Sequence, residues 1–207
     1  DEIGGTFDAV FLDDGRVWIS GGTGVQGVLA STEFFDHRSS SFTQGSALAQ
    51  PRTGHSAVAF RQGAQEAVLV IGGAAQIATG VQSRNSAEIL DVASGQIVPA
   101  PSFGFDRLGV QAVNIGNRNV LAVGGVTVQG SSVASARAVD PESYDLAAGQ
   151  WSPVQGRFLA RAAAAVGQLA NGDVLVSGGR SAAGYEASAD LYVATTGTFQ
   201  SAGNMSE

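Results

Sequence analysis

Three arginines recur at nearly even intervals in this chain, Arg52, Arg107 and Arg161, and a fourth, Arg180, stands directly behind a pair of glycines. Guanidinium groups gathered at one opening can clamp a carboxylate or an acidic peptide through paired hydrogen bonds. The same groups can instead neutralise acids that recur with them, and Glu33, Glu88, Glu142 and Asp190 form such a set. Both uses fit the spacing. A catalytic pair needs two carboxyl groups in different surroundings, which four equivalent acids do not offer, so no catalytic residue is assigned. Two histidines, His37 and His55, and no cysteine are too few for a zinc or copper centre built from several nitrogen or sulfur ligands. Asp13-Asp14-Gly15 reads as a hairpin turn rather than a calcium loop. No metal and no cofactor is expected.

The elements that position these residues repeat four times. Each unit holds a short apolar run ending in two glycines: Gly21-Gly22, Gly72-Gly73, Gly124-Gly125 and Gly178-Gly179, spaced 51, 52 and 54 residues apart. Before each pair lie two β-runs joined by a turn, such as Phe7 to Leu12 and Val17 to Ser20 around Asp13-Asp14-Gly15. After it come a polar loop, a third run opening on the repeated acid, a turn, and a bulky residue. That residue is Phe42, Ile97, Trp151 or Phe199, nine positions after the acid in every unit. A period of this size marks a repeat architecture, and four short strands per unit predict an all-β fold. The turns include Gly116-Asn117 and Asn171-Gly172. The loops behind the glycine pairs have 10, 14, 16 and 10 residues and would display Gln76, Arg84, Asn85 and Tyr185 as a binding surface.

Composition narrows the partners. All eleven basic residues are arginine against eighteen acids, a net charge of -7, and a surface of that sign repels phosphate backbones, so nucleic acid is not an expected partner. No apolar run approaches the length of a membrane span. The absence of lysine and the abundance of alanine and glycine suggest a GC-rich bacterial gene.

A double glycine closing the second strand, an acid-x-aromatic-Asp third strand and a bulky fourth-strand residue resemble the kelch repeat, one four-stranded blade of a β-propeller. The resemblance covers the chain and places it with the galactose-oxidase central-domain-like superfamily. It implies four blades, at about residues 1–45, 46–100, 101–154 and 155–207. Ile97, Val193 and Gly4 depart from the pattern, Gly4 standing where the other units carry Arg52, Arg107 and Arg161. The glycine pairs, the acids and the aromatics Trp18, Trp151, Phe42 and Phe199 are read as scaffold, the aromatics packing between blades. His55 is expected to be a hydrogen-bonded structural residue, as histidines are in similar bacterial repeats.

The resemblance further implies ligand recognition, since arginines at the positions of Arg52, Arg107, Arg161 and Arg180 contribute to the ligand surface of kelch propellers. The expected function is an exported, surface or periplasmic bacterial scaffold binding a protein or glycan. The alternatives are a sugar-acting enzyme of the sialic-acid mutarotase kind and a structural subunit of a surface assembly. Kelch propellers usually have more than four blades, so the chain is expected to be part of a six- or seven-bladed ring. A closed four-bladed ring and two chains completing eight blades are the other possibilities.

Overall fold

The computed structural model describes residues 7–77, 80–116, 118–130 and 137–206; Gly4, Asn117 and Glu207 lie outside them. The described residues contain strands and turns and no helix. Their main body is four antiparallel sheets, each with its four strands in chain order. The first sheet holds Asp8–Phe11, Arg16–Ser20, Thr32–Asp36 and Ser41–Gln44. The second holds Thr53–Gln62, Gln65–Ile77, Ala87–Asp91 and Ile97–Ala100. The third holds Gln111–Ile115, Asn119–Val123, Glu142–Asp145 and Gln150–Pro153. The fourth holds Ala165–Gln168, Val174–Ser177, Ser188–Val193 and Thr198–Asn204.

Alternation along the second and third strands sends side chains to opposite faces, and each inner face meets the next sheet. Trp18, Phe34 and Leu48 pack on Val68, Val70 and Leu90. Leu69, Ile71 and Phe103 pack on Val120, Ala122 and Tyr144. Leu121 and Val123 pack on Val174, Val176, Tyr192 and Phe199. Every core therefore lies between two sheets, which explains why no unit holds a core of its own.

Trp18 and Phe199 are buried in these layers as expected, and half-buried Trp151 stacks on Phe103 and Tyr144 while its indole donates to the Pro101 carbonyl at 2.8 Å. Phe42 is different. It is 59 % exposed, because it sits on the side of the first sheet turned away from the second.

The first strands of successive sheets are joined by side chains, not by a backbone ladder. Asp8 Oδ2 accepts from Ala57 N at 2.6 Å, Ser56 Oγ from Ala112 N at 3.1 Å, and the Asn114 amide donates to Ala59 O at 2.8 Å. Gln168 Nε2 donates in turn to Asn114 O at 3.0 Å. Four sheets meeting side by side along their first strands are consistent with a β-propeller.

The loops behind the glycine pairs depart from expectation. They form small hairpins, Thr23–Gly24 with Gly27–Val28 and Arg180–Ser181 with Gly184–Tyr185, while Gly80–Ser83 pairs both with the long Gln65–Ile77 strand and with Gln129–Gly130. Strands of two residues carry too little periodicity to be read from sequence.

Candidate functional site

Each recurrent arginine enters its sheet from the preceding linker. Arg52 Nη1 donates to Gly72 O at 2.8 Å and its Nη2 to Glu88 Oε1 at 2.6 Å. Arg107 repeats this with Gly124 O at 2.9 Å and Glu142 Oε2 at 2.8 Å. Arg161 repeats it with Gly178 O at 3.1 Å and with Asp190. Each acid takes a second bond from a linker amide: Ala49 N to Glu88, Gly104 N to Glu142 and Leu159 N to Asp190, at 2.7, 2.8 and 3.1 Å.

All three arginines are 0 % exposed. Burial pushes the guanidinium groups of Arg52 and Arg107 down from their ordinary value, and Glu88 and Glu142 oppose that shift. Of the two uses open to these arginines, the structure shows the pairing with acids. Each points into its own sheet.

The glycine pairs make this possible. The amides of Gly22 and Gly73 donate to the carbonyls of Arg52 and Arg107 at 2.9 and 2.7 Å, so a linker arginine holds one sheet through its backbone and the next through its side chain. A side chain on Gly72 would put its Cβ 2.7 Å from Arg107 O, which excludes any other residue there. Glu33 is the odd member of the acid set. It is exposed, and the arginine position of its unit is Gly4.

Arg180 stands apart from the other three. It is exposed, its backbone exchanges two 2.9 Å hydrogen bonds with Ala162, and its guanidinium carbon lies 5.8 Å from the ring centre of Tyr185. Tyr185 is 92 % exposed, and Gln76 is exposed too, whereas Arg84 and Asn85 are half-buried. Arg84 donates to Gln50 at 2.5 Å.

An opening does form elsewhere, where the first strands converge. It encloses about 440 Å³ and is lined by Phe7 and Asp8 from the first sheet, His55 and Ser56 from the second, Gln111 from the third, and Ala162 and Ala163 on the approach to the fourth. Burial raises the Asp8 carboxyl above its ordinary 3.8, against the pull of amides at Ala57 and Ala9 and of the Ser56 hydroxyl. Burial, helped by the charge of Arg52, takes His55 down from 6.5 to about 4. The imidazole is neutral at pH 7. Its Nε2 shares a 2.9 Å hydrogen bond with Ser20 Oγ, the structural role expected of it, and its Nδ1 is buried without a partner.

Asp8, Ser56 and Gln111 were not singled out in the sequence, although a signal exists. Each opens an x-Ala-Val triplet, Asp8-Ala9-Val10, Ser56-Ala57-Val58 and Gln111-Ala112-Val113, whereas the residue at the same register in the fourth unit is Ala165, followed by Val166 and Gly167. In the first three units the alanine and valine stay fixed while the first position varies. Among the described residues no group of three or more His, Asp or Glu side chains is placed to hold a metal ion, and no helix is long and apolar enough to cross a membrane.

No family model and no curated protein matches the sequence. Among solved structures the chain is similar to that titled Structure of YjhT, with a TM-score of 0.72 at 16 % sequence identity over 98 % of this chain and 67 % of that one. At this identity the likeness bears on the fold, and the fold is propeller-like.

Proposed function

We propose that this chain is a recognition scaffold whose four sheets are blades of a kelch-type propeller with more than four blades, and that it binds a glycan or peptide at the opening between its first strands. The observation that carries the reading is the x-Ala-Val triplet. The frame of the repeat holds constant while Asp8, Ser56 and Gln111 differ around one cavity, and variation on a concave surface is how repeat proteins present a ligand site. Arg180, whose backbone is bonded to Ala162 of the lining, stands beside Tyr185 as an exposed cation and ring. Export to a bacterial surface or periplasm belongs to the same proposal.

A glycan and peptide array tests it. Ser56→Ala with Gln111→Ala is expected to weaken the bound ligand about five- to thirtyfold, the loss of one or two hydrogen bonds of about 1 kcal/mol each, while the fold stays intact by circular dichroism. Unchanged binding by that folded variant would sink the reading.

A second reading has its own observation. Asp8, with a raised carboxyl, and the neutral His55 line one cavity, and opening a sugar hemiacetal needs an acid and a base of this kind. Anomer exchange of sialic acid, followed by NMR with and without the protein, separates this mutarotase-like activity from simple binding.

A further inference from the structure

We infer that the ligand of the opening is an amino sugar, held by an ion pair between its protonated amine and the carboxylate of Asp8. The inference rests on the recognition reading above and names the chemistry of its ligand. Spacing along the sequence allowed the opposite charge, an acidic ligand clamped by arginines. In the fold Arg52, Arg107 and Arg161 are 0 % exposed and engaged with Glu88, Glu142 and Asp190. Among the described residues that line the cavity, the formal charge is that of Asp8, since His55 is a neutral ring.

Asp8 is held by neutral donors. Its Oδ1 accepts from Ala9 N at 2.8 Å and its Oδ2 from Ala57 N at 2.6 Å, and the Ser56 hydroxyl bonds the carboxylate as well. Among the described residues no arginine pairs with it. A carboxylate has about four acceptor positions, so room remains for a further donor on a side chain that faces the cavity. Burial has taken water from this group without supplying a cation, and its carboxyl is raised as a result. A carboxylate in that condition disfavours an anion beside it and favours an ammonium group, whose charge-assisted bond is about twice as strong as a neutral one.

The remaining lining favours a sugar as the carrier of the amine. Ser56 and the exposed Gln111 offer a hydroxyl and an amide to ligand hydroxyl groups, and the Phe7 ring, 61 % exposed, offers an apolar face. A lysine side chain would meet Asp8 but bring nothing for Ser56 and Gln111 to bond. The volume of about 440 Å³ is that of a small-ligand site. Arg180 does not cancel the charge of Asp8 within the cavity, because it stands outside the lining with its guanidinium over Tyr185. The net charge of -7 draws cations in the same sense at longer range.

Glucosamine, N-acetylglucosamine and sialic acid, a cation, a neutral sugar and an anion, test the inference when titrated into the isotope-labelled whole chain at about pH 6.5, where His55 stays neutral. The reporters are the amides of Ala57 and Ala112, whose acceptors are Asp8 and Ser56. Glucosamine is expected to move both and to bind about tenfold tighter than either other sugar. Asp8→Asn, which keeps an acceptor for Ala57, is expected to bind glucosamine about ten- to a hundredfold more weakly and N-acetylglucosamine unchanged. Its amide spectrum reports whether it is folded, and the comparison of the three sugars on wild type needs no variant.

N-acetylglucosamine or sialic acid binding as tightly through the same amides overturns the charge selection and leaves recognition at the opening standing. A lysine peptide that moves those amides at lower concentration than glucosamine overturns the sugar. Both amides unmoved by every probe overturns the inference, and the array with the Ser56 and Gln111 variant then decides the broader reading separately.

Discussion

His55 ties the second sheet to the first through Ser20 and does so as a neutral ring. Its folded value near 4 lies below the ordinary 6.5, so the unfolded chain binds a proton that the folded chain refuses. Its contribution to stability is therefore complete above pH 6.5 and is lost as the pH falls towards 4, by at most about 3 kcal/mol. Asp8 acts in the opposite sense, since a raised carboxyl favours the protonated folded form. Urea unfolding across this range should show the slope in wild type and a flatter profile in His55→Gln; equal slopes would refute the assignment.

That the three paired arginines matter was legible, because each stands ten residues after the bulky residue that closes the preceding unit, Phe42, Ile97 or Trp151, and His55 follows the first of them by three. The direction of the arginines was not. Whether a linker side chain turns into its own sheet or towards the common opening depends on how the sheet is rotated, and spacing along the chain does not encode that rotation. Glu33 shows the same limit from the other side. The sequence marks Gly4 in place of its arginine, but that the acid stands in solvent needed the fold.

At the scale of the strand and turn, two glycines with similar backbone angles separate conformation from crowding. Gly63, at the hairpin tip of the second sheet, has φ +64° and open space where a Cβ would stand. Gly179 has φ +84°, and a Cβ there would lie 2.5 Å from Ala162 O and 2.9 Å from Ala164 N. Gly63→Ala is expected to cost about 1 kcal/mol, the left-handed penalty alone, and Gly179→Ala about 3 kcal/mol or more, because backbone must move as well. Thermal unfolding of the two variants checks the difference; similar losses would mean that crowding at the pair is relieved cheaply. The main strands were readable because alternation and turn glycines repeat. The hairpins behind the pairs were hidden by their shortness, and Thr53–Gln62 runs past the Ser56 to Phe60 core that its apolar residues mark.

Across the whole molecule, coupling between sheets runs through the linker arginines. Arg107→Ala leaves Glu142, 4 % exposed, with the Gly104 amide as its remaining partner among the described residues, and removing one partner of a buried ion pair costs about 3–5 kcal/mol. Because Arg107 also holds Gly73 through its carbonyl, the loss falls on the contact between the second and third sheets. Calorimetry should show the variant melting in two steps, the third and fourth sheets first; one undivided transition would show that apolar packing alone couples them.

The side-chain bonds that tie the first strands together have one last consequence. A strand at the rim of a sheet is a template for fibril growth unless its free amides and carbonyls are engaged. Here Ala57 N, Ala112 N, Ala59 O and Asn114 O are all engaged by side chains of neighbouring sheets. At the opposite rims Pro99 and Pro153 interrupt the outer strands of the second and third sheets, and Gln155–Gly156 covers that of the fourth. A protein made almost wholly of strands is thereby kept from amyloid-like growth along most of its rims, and any self-assembly is steered to the broad sides of its sheets.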